Sequence, residues 1–454
     1  MLSKTNDVGA PLIITGSSVL TGSVVHDVIV QKHCSLHLCG SLKGNLTIDQ
    51  AASVVVEGFV DGKVINKGGR LVVNGNEGFA EFVTRDGSPE VEAGGVLRIN
   101  LSAIALNWGT LAKLTLGECA AAVMANAYGC GLDLVAAALA KTGCRTFFVS
   151  DLSEARRVRK AAPKSVIYVL SGLNPGTGPI FAEIGAQPIL SSHIEMAEWD
   201  AFVAASQWTG GFALYASTGA DRLGMPFEEA AAFAPRVHST SSGITLLMSD
   251  LDTRGKPDQR ASDRQIEQFK ELRRLYPGIP ASILDSSGIV SCPHAQFDLV
   301  RTGALLYGVN PTPGVSNPML PVIDLRARIV QVRDLARGET IAGSDGWAAK
   351  RRSRLAVVLV GYADGYPRPE NGAGSKLEAI VGGHRCPIAG RASMDLLPID
   401  ITDLPDPRAA RRGEMVTLIG AGIPIDDLAA AAQSTASELL VNLGSRFHRI
   451  YHAG

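Results

Sequence analysis

Three consecutive segments near the N-terminus each begin with a glycine and follow one another at intervals of 18 residues, at Gly22, Gly40 and Gly58. Short hydrophobic runs fall within one residue of matching places in these segments, and a partial copy precedes them: Leu12–Ile14, Leu36–Leu38, Val54–Val56 and Leu71–Val73. Short β-rich runs separated by Gly and Asn at a fixed period are typical of a β-solenoid, in which each turn buries its inward side chains on its neighbours. We therefore predict a β-solenoid over residues 8–76.

The period and composition of residues 10–75 resemble those of the bactofilins, whose β-helical cores polymerise end to end. The resemblance implies self-association through the solenoid, because an uncapped end exposes unpaired backbone groups and apolar side chains. A short solenoid that only dimerises, or that only decorates the chain, is the alternative. Residues 77–96 are rich in glycine and acidic residues, which predicts a linker.

From Leu97 onward, short apolar runs with β-propensity alternate with amphipathic helical patterns such as Leu132–Lys141 and Arg264–Leu275. The strand candidates are Ala120–Met124, Thr146–Ser150, Val166–Leu170, Phe212–Ala216, Ile244–Met248 and Ser282–Asp285. Repeated β-α units of this length predict a (β/α)8 barrel over residues 97–320, with ligand chemistry at the carboxyl ends of its strands. Strand-and-turn patterns then predict a separate all-β domain over residues 321–454.

The composition excludes several classes of function. With 43 basic and 44 acidic residues, the chain has no charge excess that would favour nucleic acid or an anionic membrane as a partner. Its seven cysteines form no CxxC pair and no metal-ligand spacing, so we predict a reducing, cytoplasmic setting and no metal site. No run of about 18 apolar residues predicts a transmembrane segment.

Three motifs are specific enough to indicate a family: VMANAYGCG at Val123–Gly131, DLVRTGALLYG at Asp298–Gly308 and GYADGYP at Gly361–Pro367. They resemble the alanine racemases, and the resemblance covers residues 97–453. It implies a barrel followed by a β domain, a homodimer, pyridoxal phosphate (PLP) as cofactor and an active site between the two subunits. Met124 occupies the position of the lysine that binds PLP covalently in that family, and a thioether cannot form an imine.

The same resemblance implies roles for other residues. Those expected at the cofactor are Tyr128, Ser287 and Gly303 at the phosphate, Arg222 near the ring oxygen and Arg301 facing the pyridine nitrogen. A permanent cation at the ring nitrogen suits racemisation, although a salt-bridging arginine is the alternative for this position. In the β domain, the backbone amide of Met394 would contact the substrate carboxylate. Tyr362 would line the substrate entry channel, with dimer packing as the alternative.

Several positions depart from the family pattern. A racemase needs a base on each face of the substrate α-carbon, and Gly343 stands where the resemblance places the catalytic tyrosine. Asp250 replaces the histidine that supports this tyrosine, and Tyr215 replaces a barrel lysine. Asp285 adds a negative charge beside the expected phosphate site, and Ser445 takes the place of a further phosphate-contacting tyrosine.

These departures predict a racemase-fold protein without racemase activity, whose solenoid self-associates. Its pocket would bind PLP non-covalently at best, or an amino-acid or peptidoglycan-related ligand, and the solenoid would place this module on a cytoskeletal polymer. One alternative is a working PLP-dependent alanine racemase with a lysine supplied from elsewhere, for which Lys113 and Lys141 offer no obvious replacement. The other is a structural filament subunit in which the racemase fold is a spacer.

Overall fold

In the computed structural model of the 454-residue chain, the described residues are 11–56, 59–60, 64–67, 69–73, 82–84, 93–219, 222–238, 243–252, 259–312, 316–341, 346–368 and 376–452. The chain divides into two compact units. One comprises residues 1–103 and 321–454, and the other comprises residues 104–320.

The N-terminal segment forms a solenoid of three parallel sheets. The first sheet contains β1 Leu12–Ile14, β4 Val28–Val30, β7 Leu46–Ile48, β10 Val64–Asn66 and β12 Phe82–Thr84. The second contains β2 Ser17–Leu20, β5 Ser35–Leu38, β8 Ser53–Val56 and β11 Arg70–Val73, and the third contains β3 Ser23–Val24, β6 Ser41–Leu42 and β9 Phe59–Val60. Val28 pairs with Leu46 and Leu46 pairs with Val64, so adjacent coils are offset by the 18 residues that the glycine spacing indicated.

Alternate side chains of the coils point inward and form the core of the solenoid. Leu38, Leu46 and Val54 are among its fully buried members. Polar side chains also bond between coils at the same offset, as where the backbone amide of Asn45 donates to Oδ1 of Asp27 at 2.8 Å. Apolar contacts inside the solenoid and polar hydrogen bonds outside it therefore both hold adjacent coils together.

The structure differs from the predicted boundaries in the segment that the composition assigned to a linker. Phe82–Thr84 pairs with Val64–Asn66 and so continues the solenoid sheet beyond residue 76. At the other end of the segment, β13 (Gly95–Asn100) pairs with strands of the C-terminal sheet. A three-residue strand between glycines is too short to give a pattern, and β-propensity does not reveal which sheet a strand joins.

Residues 104–320 contain an eight-stranded, all-parallel sheet that is nearly closed into a barrel. Its strands are β14 Glu118–Ala122, β15 Thr146–Val149, β16 Val166–Val169, β17 Gln187–Leu190, β18 Phe212–Tyr215, β19 Ile244–Met248, β20 Ala281–Ser282 and β21 Leu299–Thr302. The helices of this part of the chain are α1 Leu101–Leu114, α2 Leu132–Thr142, α3 Leu152–Ala161, α4 Gly178–Ile184, α5 His193–Ser206, α6 Phe227–Phe233, α7 Gln259–Leu275 and α8 Ser286–Ser291. The predicted barrel is confirmed.

The barrel interior is filled by side chains, as in other barrels of this size. Ala120, Phe148, Tyr168, Tyr215 and Met248 belong to one buried cluster. The packed interior leaves the carboxyl ends of the strands as the place where a ligand can approach.

The C-terminal residues form a mixed sheet in which β13 takes part. Its other strands are β22 Ile323–Leu335, β23 Ser353–Val358, β24 Glu378–Val381, β25 His384–Pro387, β26 Leu397–Asp400, β27 Met415–Ile419 and β28 His448–His452, and two helices follow β27, α9 Ile425–Ala432 and α10 Ala436–Asn442. In the described ranges, no helix is long and apolar enough to cross a bilayer, and no three His, Cys, Asp or Glu side chains are grouped as a metal ion would require.

Candidate active site

The chain leaves β14 through a turn of left-handed backbone. Ala125, Asn126, Ala127 and Tyr128 all have φ between 52° and 57°. This conformation costs a non-glycine residue roughly 1–2 kcal/mol, so other contacts must hold it. The carboxylate of Glu154 accepts hydrogen bonds from the backbone amide of Asn126 at 2.8 Å and from that of Ser150 at 2.9 Å. The turn is therefore fixed from outside and sets the direction of the residues on either side of it.

Met124 lies at the start of this turn. The strand candidate Ala120–Met124 ends two residues early, at Ala122, and Met124 lies beyond it. Its side chain is half-buried and packs against the core of the barrel. The position at which the family resemblance implies an amine thus presents a thioether that packs as an apolar group.

Tyr128 and Gly303 are brought together, as the phosphate assignment implied. A Cβ atom on Gly303 would lie 2.6 Å from the Tyr128 hydroxyl oxygen, so the phenol occupies the space that only glycine leaves open. Tyr128 also stacks on Tyr307, with ring centroids 4.5 Å apart. The Tyr307 hydroxyl in turn donates to the carbonyl of Ala122 at 3.0 Å.

Ser286, which the sequence analysis did not single out, is the serine that contacts Gly303. Its hydroxyl oxygen accepts from the backbone amide of Gly303 at 2.8 Å and from that of Leu305 at 3.4 Å. The predicted residue, Ser287, is the next one in α8, and its carbonyl accepts from the hydroxyl of Ser291. In this chain the contact with Gly303 therefore belongs to the serine one position earlier.

Asp285 is the N-cap of α8, and its Oδ1 atom accepts from the backbone amide of Gly288 at 2.9 Å. The side chain is accessible to solvent, yet the protein around it desolvates the carboxyl enough to raise its pKa. Burial, and secondarily the Asp285 carboxylate, raise the pKa of Tyr128 to about 12. Asp285 in its ionised form therefore opposes a negative charge at the Tyr128 hydroxyl.

Arg301, on β21, is 8% exposed and has its guanidinium bound on every side. Nη1 donates to Oδ1 of Asp250 at 2.7 Å, and Nε donates to the hydroxyl of Ser282 at 3.2 Å. Nη2 donates to the backbone carbonyls of Ser249 and Ile283. Arg301 thus forms a salt bridge with Asp250, and its expected place at a pyridine nitrogen stays a prediction.

Asp250 joins Arg301 to Tyr215, whose hydroxyl donates to the other carboxylate oxygen at 2.9 Å. Burial alone would raise the pKa of Asp250, but the charge of Arg301 and the hydrogen bonds from Arg301 and Tyr215 outweigh it and lower the pKa. Burial and the neighbouring Asp250 raise the pKa of Tyr215, which therefore stays protonated as a donor. Tyr215 and Asp250, which the sequence analysis named as departures, thus bond to each other, and Asp250 also bonds to Arg301.

Arg222 lies in the loop after β18 and is exposed. Its positive charge acts on both Asp250 and Tyr215, which places it on the same side of the barrel as the Arg301 network. It also lines a cavity of about 430 Å³ together with Thr218 and Gln268. This cation is therefore positioned to meet an anionic ligand from solvent.

The predicted substrate residues belong to the unit that contains the β domain. Tyr362 and Met394 are 41% and 54% exposed, and they lie on adjoining loops. The backbone amide of Tyr362 donates to the carbonyl of Ser393 at 3.0 Å, and the carbonyl of Met394 accepts from Ala363 at 3.1 Å. Ser445 is exposed, and Gly343 lies outside the described residues.

The donors and acceptors at the strand ends do not fit PLP as a covalently held cofactor. Position 124 offers no amine, and Nε of Arg301 already donates to Ser282. Beside the Tyr128 hydroxyl, the Asp285 carboxylate opposes an anionic phosphate group.

Among the residues that the sequence analysis did not identify, Ser282 and Ser286 have the clearest signal. Both are small hydroxyl residues at the predicted strand Ser282–Asp285, which Ser282 begins and Ser286 follows, and side chains of a barrel converge at its strand ends. An Asp three residues before a Gly at a helix start could have indicated that Asp285 caps α8 and that Ser286 turns towards the next strand.

Comparison with known families gives two matches that together span the barrel and the β domain. Residues 99–311 match the family described as "Alanine racemase, N-terminal domain", and residues 322–451 match "Alanine racemase, C-terminal domain". Among solved structures, alanine racemase from Bartonella henselae with covalently bound pyridoxal phosphate superposes with a TM-score of 0.74 at 30% identity, over 79% of this chain and 100% of that one.

Curated relatives agree with this assignment. The alanine racemase of Methylobacterium sp. (strain 4-46) is 45% identical over 359 residues, which are 79% of this chain and 98% of that protein. The alanine racemase of Acidiphilium cryptum (strain JF-5) is 40% identical over 357 residues, covering 78% and 98% of the two chains. The chain therefore belongs to the alanine racemase family.

Proposed function

We propose that this member of the alanine racemase family binds a small molecule at the carboxyl ends of its barrel strands without racemising it. The observation that carries the proposal is the thioether of Met124, half-buried against the barrel core at the position of the family's covalent lysine. Gly343 supports the same conclusion from the sequence, since it supplies no second base. Each general base contributes a factor of roughly 10² to 10⁴ in rate, so the loss of both would leave little turnover.

The groups available to a ligand are polar and lie on more than one strand end. Tyr128 and Ser286 offer hydroxyls near Gly303, and Arg222 offers an exposed cation. An amino acid or a peptidoglycan-related compound has the carboxylate and amine that such groups can bind. PLP, for which these groups provide no covalent attachment, would be held non-covalently at best.

A second candidate, alanine racemase activity, is favoured by the comparisons more than the first. The alanine racemase of Methylobacterium sp. (strain 4-46) is 45% identical over 98% of its own length, and the Bartonella protein holds pyridoxal phosphate covalently. This function requires an amine from another lysine. Lys113 and Lys141 lie in the last turns of α1 and α2, and these helix ends precede β14 and β15 in the chain. The proposed ligand site lies at the opposite, carboxyl ends of the strands. Lys256, between β19 and α7, lies outside the described residues.

One experiment separates these two functions. The purified full chain is incubated with PLP, treated with borohydride, desalted and analysed by absorbance and peptide mass spectrometry, alongside an assay for conversion of L-alanine to D-alanine. The binding function predicts no PLP fixed to the chain and no turnover. A fixed adduct on a lysine with turnover would establish the racemase, and Lys256→Ala, with Lys270→Ala as a control on α7, would test whether Lys256 carries it.

We propose in addition that the solenoid self-associates and that the protein works as an assembly in the cytoplasm. The parallel pairing of its coils at a fixed 18-residue offset supports this role, because a further coil of the same kind can be added by the same pairing. The family resemblance supports a homodimer through the barrel and the β domain. A filament subunit in which the racemase fold is only a spacer is the remaining candidate, and the open, polar groups at the strand ends weigh against it.

Sedimentation velocity of the full chain across a range of concentrations tests the assembly. Species larger than a dimer that disappear when residues 1–92 are removed would support association through the solenoid. A constant dimer with and without the solenoid would contradict it.

A further inference from the structure

Near the Tyr128 hydroxyl, the backbone amides that could bind a ligand already have a hydrogen-bond acceptor. The amides of Gly303 and Leu305 both point at the hydroxyl oxygen of Ser286, at 2.8 and 3.4 Å. Such paired N–H groups are the usual means by which a strand end binds a phosphate. Here a phosphate would first have to displace the serine hydroxyl.

The residue before Ser286 is acidic. Asp285 immediately precedes Ser286, is accessible to solvent and acts electrostatically on the Tyr128 hydroxyl. Its Oδ1 atom accepts a hydrogen bond from the Gly288 amide, and its side chain is exposed to solvent. A dianion bound at Tyr128 would therefore face a like charge in a partly desolvated site.

The guanidinium of Arg301 offsets the negative charge of Asp285 only in part. It acts on Asp285, but its Nη1 and Nε atoms donate to Asp250 and Ser282, and its Nη2 atom donates to two carbonyls. Recruiting Arg301 to a phosphate would break the ion pair with Asp250. That would leave the Asp250 carboxylate without its cation, with only the hydrogen bond from Tyr215.

We infer that Asp285 excludes phosphate from this end of the pocket, so that the barrel binds an unphosphorylated molecule which directs a neutral or cationic group at Tyr128. The inference rests on the proposed ligand-binding function and narrows its ligand class. It makes Asp285 the residue that determines specificity, because Ser286 and Gly303 alone would leave the site neutral.

The test compares Asp285→Asn with Asp151→Asn in the full chain. Asn and Asp are equivalent as N-caps, so α8 keeps its cap. Asp151 is the matched control, because it caps α3 in the same barrel through a bond to the amide of Glu154 at 2.9 Å. Binding of inorganic phosphate, PLP and pyridoxal is measured by isothermal titration calorimetry.

The expected result is that the unmodified chain binds pyridoxal at least as tightly as PLP. Asp285→Asn should then bind inorganic phosphate at least about tenfold more tightly than the unmodified chain, as removal of one like charge predicts. Asp151→Asn should match the unmodified chain. Stronger binding of PLP than of pyridoxal by the unmodified chain, an equal gain in Asp151→Asn, or no gain in Asp285→Asn would each overturn the inference.

Asp285→Ser provides a second variant if Asp285→Asn does not fold, since serine is also a good N-cap. Circular dichroism melts identify misfolding in either variant. The readout is independent of turnover, so the two proposals fail separately. A chain that shows no turnover and fixes no PLP, but in which Asp285→Asn gains no phosphate affinity, would overturn this inference and leave the proposed function intact.

Discussion

Oδ1 of Asp250 lies 2.7 Å from Nη1 of Arg301, and Tyr215 completes the group by donating to the second oxygen of the same carboxylate. Arg301 is nearly buried, whereas about a third of the Asp250 side chain is exposed. A buried cation whose hydrogen bonds are made within the protein has no need of a ligand to satisfy it. The pocket therefore contains its own counter-ion for the arginine.

Removal of this counter-ion should destabilise the barrel. We expect Asp250→Ala to lower the free energy of unfolding by about 2–4 kcal/mol, because it leaves the nearly buried Arg301 without its counter-ion and solvent offsets only part of the loss. Urea unfolding of the full chain measures the change. Glu183→Ala removes the exposed ion pair with Arg156 and should have little effect. Equal effects of the two variants would show that the Asp250–Arg301 pair is not structural.

The same ion pair predicts a dependence of stability on pH. Because the folded-state pKa of Asp250 is lowered, the stabilisation is complete above the ordinary pKa of about 4 and is lost as the pH falls through the lowered value. The difference in urea midpoint between the unmodified chain and Asp250→Asn should therefore shrink between about pH 6 and about pH 3. A difference that stays constant over this range would contradict the lowered pKa.

A lysine placed at position 124 should regain covalent chemistry without regaining racemisation. In Met124→Lys, the amine would lie in a half-buried setting that lowers its pKa and favours the nucleophilic neutral form. We expect borohydride to fix pyridoxal at residue 124, as detected by peptide mass spectrometry. Leu116→Lys, at an 88% exposed position, serves as the control and should show no selective labelling. D-alanine formation should stay undetected, since Gly343 provides no second base.

Glycine at a strained position of the left-handed turn should increase the free energy of unfolding. Ala125 is exposed and has φ 52° and ψ 51°, so Ala125→Gly removes steric strain and loses no buried contact. The expected gain is up to about 1 kcal/mol, after allowance for the greater entropy of glycine in the unfolded chain. Ala137→Gly, inside α2, should instead cost about 1 kcal/mol. Loss of stability in both variants would show that the turn is not strained.

Self-association should depend on the inside of the solenoid coils. Leu46 is fully buried there, and Leu46→Ala should cost roughly 2–5 kcal/mol of solenoid stability and reduce any large assembly seen by sedimentation. Thr47→Ala is the matched control, since Thr47 points outward from the same strand and should leave both properties unchanged. Assemblies that survive Leu46→Ala unchanged would point to contacts elsewhere in the chain.

The sequence predicted the architecture well wherever a period was long enough to detect. The 18-residue repeat and the alternating β-α pattern are properties of many residues, and both are confirmed by the strand pairing. By contrast, Phe82–Thr84 and Gln187–Leu190 are short strands without a distinctive pattern, so they went unrecognised.

At the site, motif matches located individual positions but not their bonds. They placed Tyr128 and Gly303 at one end of the pocket, which the structure supports with close contact between them. They did not indicate that Asp250 would bond to both Tyr215 and Arg301, because these residues come from three different strands and strand ends. Only the folded barrel reveals that Asp250 and Tyr215, two departures from the family pattern, form a hydrogen bond with each other. The contact of Ser286 rather than Ser287 likewise depends on how α8 begins.

The register of the solenoid gives the N-terminal segment a natural unit of length. Since each coil pairs only with the coils on either side, the 18 residues from 46 to 63 could be deleted so that Val64 takes the place of Leu46 beside Val28. Deletion of an odd number of residues would turn inward side chains outward. The segment can thus be shortened or extended in whole coils, which makes it an adjustable spacer as well as a surface for association.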